Sequence, residues 1–112
     1  MKKIEAMIRR EKLEDVRSAL DEVGYPGMTL TKVKGHGKQK GVTEQFRGRE
    51  YEVDLLPKIK LEIVAPDDTI EEIVKTISEN AKTGDVGDGK IFILEVEKAV
   101  KIRTGKEGED AL

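Results

Sequence analysis

The chain has 112 residues, 39% of them charged, with a formal net charge of -2 and no cysteine. That length suits one modest core, the missing thiols exclude a disulfide framework and a thiolate metal site, and the near balance of charge gives no global pull toward nucleic acid. No apolar run approaches the roughly 20 residues that cross a bilayer and the first residues carry no signal-peptide stretch, so a soluble protein of the cytoplasm is expected.

Ile4, Ala6 and Ile8 alternate with Glu5, Met7 and Arg9, which predicts a strand. Leu13, Val16, Leu20 and Val23 then recur at helical spacing until Gly24 stops them, and Met28, Leu30 and Val33 mark a second strand ending at Gly35. The segment GHGKQKGVTEQFRGREYEVD, Gly35 to Asp54, has no core-forming periodicity. Inside a compact domain so long a loop is either functional or disordered. Beyond it, Ile59, Leu61, Ile63 and Ala65 alternate with Lys58, Lys60, Glu62 and Val64 as a third strand, closed by Pro66. Asp68 and Glu71 have the spacing of a capping box ahead of Ile70, Ile73, Val74, Ile77 and Ala81, and Gly84 stands where a C-terminal glycine would end that helix. Ile91 to Val96, continuing through Val100 to Ile102, reads as a buried strand.

The order βαββαβ is an α+β, ferredoxin-like split unit, with both helices on one face of an antiparallel sheet. If Ile91 and Ile93 face the helices, Phe92 and Leu94 face away, with Val64 beside them. Self-association that covers this open face is the expectation, against a monomer that tolerates the patch.

TGDVGDGKIF, Thr83 to Phe92, contains G-x-x-x-x-G-K from Gly84 to Lys90, the spacing of a Walker A loop. The next residue is Ile91, without the hydroxyl that holds magnesium, and the segment runs from helix to strand rather than strand to helix. A P-loop nucleotidase is therefore excluded. Gly84, Gly87 and Gly89 still allow sharp backbone turns that aim N–H groups at one point, with Lys90 adding charge. A phosphate cradle and a plain glycine-rich turn fit that spacing equally. Gly35, Gly37 and Gly41 with Lys38, Gln39 and Lys40 form a second donor-rich cluster, and Lys101 with Arg103, at i and i+2 on the same side of a strand, a third. Three such clusters in one small fold favour a polyphosphate ligand more than any one alone.

The segments MKKIEAMIR, GMTLTKVKGHGKQKG, FRGREYEVD, TGDVGDGKIF and KIRTG, in that order and over essentially the whole chain, resemble the PII signal-transduction proteins of the GlnB/GlnK class. The resemblance implies a single PII-like domain, 1–112, that assembles as a homotrimer with nucleotide in the clefts between subunits. Its effector arm, the T-loop, would span about 37–55, its nucleotide loop about 83–90 and its C-terminal segment about 101–112. By position, Gly35, Gly37, Lys38, Gln39, Gly87, Asp88, Gly89 and Lys90 would line the phosphates of ATP or ADP, Thr29, Glu62 and Val64 the adenine and ribose, and Lys101 and Arg103 would reach across from the adjacent subunit.

The family also senses 2-oxoglutarate when ATP and magnesium are bound, because the keto and carboxylate oxygens chelate a hard cation already held by phosphates. Gln39, Lys58 and Gly87 match that subsite, with Gln39 near the metal and Lys58 on the distal carboxylate. An ammonium transporter, met by Arg47 at the loop tip, is the implied target, with nitrogen-assimilation enzymes as others and reversible recruitment to the membrane as the consequence. Tyr51 matches the tyrosine that some members uridylylate. Lys38 and Lys101 stand where many members carry arginine, Phe46 where tyrosine is frequent and Arg10 where proline is usual.

Two other classes fit the same element order. A phosphohydrolase of acylphosphatase type needs a phosphate-gripping arginine and a water-orienting asparagine near the first strand and helix, but Asn80, the only asparagine, falls at the end of the second helix. An RNA-binding version displays stacking aromatics on its sheet, where this chain offers Phe92 alone on the last strand. Neither an enzyme nor a nucleic-acid partner is expected.

Overall fold

The computed structural model describes residues 1–35 and 56–112 in full and the backbone of 42–46 and 49–53. Its elements are β1 (Lys2–Arg9), α1 (Leu13–Glu22), β2 (Thr29–Gly35), β3 (Val42–Phe46), β4 (Arg49–Val53), β5 (Leu56–Ala65), α2 (Ile70–Ala81) and β6 (Gly89–Glu95). The main sheet has the order β2-β5-β1-β6 with every neighbour antiparallel, and β3 and β4 pair separately. This is the ferredoxin-like α+β arrangement expected from the order of elements.

Alternation decides which face of the sheet is buried. Ile4, Ala6 and Ile8 of β1 and Ile59, Leu61, Ile63 and Ala65 of β5 are buried with Val16 and Leu20 of α1 and Ile70, Ile73, Ile77 and Ala81 of α2. The core is thus one layer between the central strands and the two helices, and it contains no polar or charged residue among those described. Each fully buried aliphatic side chain in it contributes about 1.5–3 kcal/mol. α1 stops where Gly24 is predicted to stop it: Gly24, at φ 94°, donates to the Asp21 carbonyl, and the Tyr25 N–H reaches the Leu20 carbonyl at 2.8 Å. Those two bonds satisfy carbonyls that the last helical turn leaves open.

Four expectations are corrected. The capping box before α2 is not made: a short 3-10 turn, Asp67–Thr69, leads into the helix with no side-chain cap, and the Thr69 hydroxyl donates to the Pro66 carbonyl instead. Gly84 does not end α2, which stops at Ala81 with Lys82 already extended. The last strand ends at Glu95 and is not buried. As an edge strand it leaves Phe92, Ile93 and Leu94 half-exposed, although Ile91 packs against the core. The segment that lacks core periodicity contains the β3–β4 ribbon, whose register runs from Val42 opposite Val53 to Phe46 opposite Arg49.

The open face of the sheet is more polar than expected. Phe92 and Leu94 stand opposite Glu5 and Lys3 in the β1–β6 register, and Val64 opposite Lys3 in the β1–β5 register. Between these apolar groups runs a charged lattice: Lys3 Nζ lies 3.0 Å from Glu5 and 3.0 Å from Glu62, and Lys60 lies 3.6 Å from Glu62. The lattice raises the Lys3 pKa, through Glu5 first, and lowers that of Glu62, through Lys3 first.

Candidate functional site

The helix-to-strand segment after α2 is held shut by one side chain. Asp88 Oδ2 accepts from the Thr83 N–H at 2.8 Å and the Gly84 N–H at 2.9 Å, while Oδ1 accepts from the Thr83 hydroxyl and from Arg9 Nε at 3.0 Å. Arg9, the last residue of β1, also donates through Nη2 to the Val86 carbonyl at 2.8 Å. Its planar guanidinium therefore spans two points of the loop, which a lysine could not do. The Thr83 hydroxyl, then the two amides and Arg9, hold the Asp88 carboxyl well below the usual carboxylate range.

Glycine is required at the end of this loop. Gly87 and Gly89 both lie at φ 102°, and a Cβ on Gly89 would sit 1.7 Å from the Met7 carbonyl oxygen. Only a residue without a side chain lets β6 start so close to β1. Gly84, at φ 94°, turns the loop after Lys82 and has open space around it.

Lys58 joins this loop to β2 and β5. Its Nζ donates to the Gly87 carbonyl, and a Cβ on Gly35 would lie 3.2 Å from its Cγ. Burial, followed by the neighbouring Arg9 charge, pushes the Lys58 ammonium below its ordinary pKa. Lys90 stands opposite Met7 on the open face, which also carries Lys60 opposite Met7 from the other side. A groove of about 300 Å³ runs beside the loop, lined by Asp88, Gly89 and Lys90 together with Ile8, Ile77 and Ala81.

The remaining candidates lie further along the sheet, at its middle and beyond. Thr29 is opposite Glu62, and Val64 lies two residues further along β5. At about 3.3 Å per residue, Glu62 and Val64 are roughly 13–20 Å along the strand from Lys58. Beyond β6, Val96 donates to the Met1 carbonyl, so the chain leaves the sheet beside the start of β1. Lys101 and Arg103 follow in a turn, not a strand: Gly105 donates to the Lys101 carbonyl at 2.7 Å, and Val100 forms an isolated bridge with Glu107. The expectation that the pair shares one side of a strand is corrected accordingly. A hollow of about 500 Å³ opens at this end, lined by Lys3, Val64, Leu94, Val100 and Leu112.

The predicted residues thus divide along the sheet. Gly35, Lys58, Gly87, Asp88, Gly89 and Lys90 gather at one end of the sheet, Thr29 and Glu62 stand level with Glu5 at the middle of β1, Val64 lies nearer the far end, and Lys101 and Arg103 follow beyond it. The seven residues of β6 separate the glycine loop from the C-terminal turns by roughly 20 Å. Gly37, Lys38, Gln39 and Arg47 lie outside the described residues, and of Tyr51 only the backbone, within β4, is described. Arg9 and Thr83 are missed by sequence reasoning. The signal that finds Arg9 is register, because Ile8 pairs with Gly89 and brings the next residue of β1 to the loop.

A family model described as nitrogen regulatory protein P-II matches residues 1–106. The chain is 57% identical to the nitrogen regulatory protein P-II of Haemophilus influenzae over 112 residues, covering all of both chains. It is 58% identical to nitrogen regulatory protein P-II 1 of Methanothermobacter thermautotrophicus, covering all of this chain and 97% of that one. To nitrogen regulatory protein P-II 1 of Escherichia coli K12 it is 57% identical over the full length of both.

Proposed function

Because this chain belongs to the nitrogen regulatory protein P-II family, we propose that it is a trimeric sensor that binds ATP or ADP competitively between neighbouring subunits. The chain is a regulator rather than an enzyme, as the family description and the names of its relatives indicate. The phosphohydrolase alternative falls with that assignment.

The observation that carries the reading is the division of the site residues. One end of the sheet supplies a clamped glycine loop with Lys58 and Lys90. Further along the sheet, from its middle to its far end, stand Thr29, Glu62 and Val64, with two cations, Lys101 and Arg103, beyond the end of β6. Head-to-tail contact around a closed ring brings the first end of one copy against these residues of the next. The phosphates then meet Gly35, Gly87, Asp88, Gly89 and Lys90, with Gly37, Lys38 and Gln39 completing the cradle. The neighbour's Thr29, Glu62 and Val64 receive the nucleoside, and its Lys101 and Arg103 close over the phosphates. Half-exposed Phe92, Ile93 and Leu94 supply apolar surface that such a ring would cover.

2-Oxoglutarate is proposed to bind with ATP and magnesium, its distal carboxylate on Lys58 beside Gly87. Among the described residues no group of three or more acidic or histidine side chains converges, so the fitting arrangement is a magnesium ion brought by the phosphates with Gln39 nearby. The metal supplies charge neutralisation and a point of chelation. The chain's own part is to hold the anions: Lys58 is cationic, partly desolvated and already bonded to the loop.

Occupancy would bias the conformers of the arm at about 37–55. Through that arm, by way of Arg47, the protein would regulate an ammonium transporter or a nitrogen-assimilation enzyme. Tyr51 is then a candidate for modification. The proposed location is the cytoplasm, with recruitment to a membrane only through such a transporter; no helix among the described residues is long and apolar enough to cross one.

The test is calorimetric titration with ATP and ADP, each with and without 2-oxoglutarate and magnesium, beside a mass measurement of the oligomer. One competitive nucleotide site per subunit in a trimer is expected, with 2-oxoglutarate bound only in the presence of ATP and magnesium. A monomer, or the absence of nucleotide binding, would overturn the reading.

A further inference from the structure

Among the described residues, the side chains that hydrogen-bond to the glycine loop from outside it are those of Arg9 and Lys58. Arg9 sits at the C-terminal end of a central strand, its side chain largely covered, with Nε on Asp88 and Nη2 on the Val86 carbonyl. Asp88 in turn takes up the Thr83 and Gly84 N–H groups and the Thr83 hydroxyl. Every hydrogen bond that the Asp88 carboxylate makes among the described residues therefore serves the loop itself or its tie to β1.

We infer that Arg9 and Asp88 are positioning residues of the nucleotide loop. They fix its shape before any ligand arrives, and they do not contact the phosphates with their side chains. The inference rests on the nucleotide-binding reading above and reassigns Asp88 within it, so that its main chain lines the cradle while its carboxylate faces away.

The physical argument has two parts. A carboxylate aimed at a polyphosphate would repel it, whereas one neutralised by Arg9 and turned to two amides rigidifies the turn at no such cost. A loop with three glycines at positive φ (Gly84, Gly87 and Gly89) loses more conformational entropy on ordering than other sequences. A clamp formed during folding removes that cost from the binding step. Arg9 suits the task because its fork reaches a carboxylate and a carbonyl at once while the rigid sheet fixes its origin. Among the described residues, charged groups near this point include Lys58 on β5 and Glu11 in the turn after β1, the latter 4.0 Å from Arg9 Nη1.

The experiment compares the full-length protein with Arg9→Gln, Arg9→Lys and Asp88→Asn, measuring ATP affinity by calorimetry and amide exchange at Thr83 and Gly84. Arg9→Gln should weaken ATP about tenfold, the scale of a lost charge-assisted hydrogen bond. It should also speed exchange at both amides while leaving exchange at Ile4, Ala6 and Ile8 unchanged. Arg9→Lys should restore part of each effect, and Asp88→Asn should reproduce the Arg9→Gln pattern. Lost affinity with unaltered exchange at Thr83 and Gly84 would overturn the inference and make Arg9 a direct contact. Unaltered affinity and exchange would overturn it as well. Failure of the unmodified protein to bind ATP would sink the nucleotide reading instead, and the exchange measurement would still decide whether the clamp exists.

Discussion

At its first residue β6 is pressed so closely against β1 that only Gly89 fits, and the adjoining loop is tied by Arg9, Lys58 and Asp88. Past its last residue, Glu95, the chain runs into turns in which Lys101 and Arg103 flank a fully exposed Ile102. The first end is tied by the chain's own side chains. The second displays cations and apolar groups that, under the proposed assembly, would meet a neighbouring copy. A single strand thus carries a finished half-site and an unfinished one, which is the arrangement expected of a protein whose binding clefts form between copies.

Substitutions at the two ends should accordingly fail in different ways. Gly89→Ala should be the most damaging, because the added Cβ meets the Met7 carbonyl and φ is unfavourable; a loss of about 2–4 kcal/mol is expected in urea unfolding. Near-native stability for this variant would show that the closed end is less tightly built than its geometry indicates. Lys90→Ala should leave unfolding unchanged yet weaken ATP and ADP roughly 10–100-fold by calorimetry, the scale of a lost charged hydrogen bond. Arg103→Ala should weaken both nucleotides about tenfold while the melting temperature of the subunit stays as it was.

Acid sharpens the same contrast. Asp88 has a lower pKa in the folded loop than in the unfolded chain, so its stabilisation is complete above the unfolded value of about 4 and is lost as pH falls below it. Glu62, lowered by Lys3, follows the same sign on the open face. The melting temperature should therefore drop on acidification from about pH 5 to pH 3, and Asp88→Asn should flatten that dependence. The smallest effect is expected at Ile102: Ile102→Ser should alter subunit stability within about 0.5 kcal/mol, as for other exposed positions.

Much of the sheet is legible in the sequence because burial is one-sided. The alternation Ile4, Ala6, Ile8 and Ile59, Leu61, Ile63 specifies both central strands and the face they bury, and Gly24 marks the end of α1 through its positive φ. The edges are less legible. The run from Phe92 to Leu94 reads as buried although it borders solvent, since sequence records hydrophobicity without saying whether a strand lies at the edge of the sheet. The β3–β4 ribbon is missed because it belongs to neither the core periodicity nor the main sheet. Gly84 has the right type and nearly the right place for a helix cap, but Asp88, four residues on, recruits it into the loop.

The site shows the same split. Spacing singles out Gly87, Gly89 and Lys90 as either a cradle or a plain glycine turn, Lys58 enters only through the family resemblance, and the nearness of all four is visible once β1, β5 and β6 are aligned. The tie between Arg9 and Asp88 is not, because it joins residues 79 apart in sequence and depends on register. The capping box at Asp68 is a local pattern set aside by the 3-10 entry into α2. In each case the residue type is readable and the partner is decided by tertiary geometry.

The proposed sharing of each site between subunits makes the most direct test a mixing experiment with Lys90→Ala and Arg103→Ala, which in that proposal are defective on different sides of the cleft. Alone, each variant should bind ATP weakly. Unfolded together in equal amounts and refolded, they should regain near-native affinity at about a quarter of the sites, the share in which random assortment sets an intact loop against intact cations. No recovery beyond that of the separate variants would contradict a site built from two subunits.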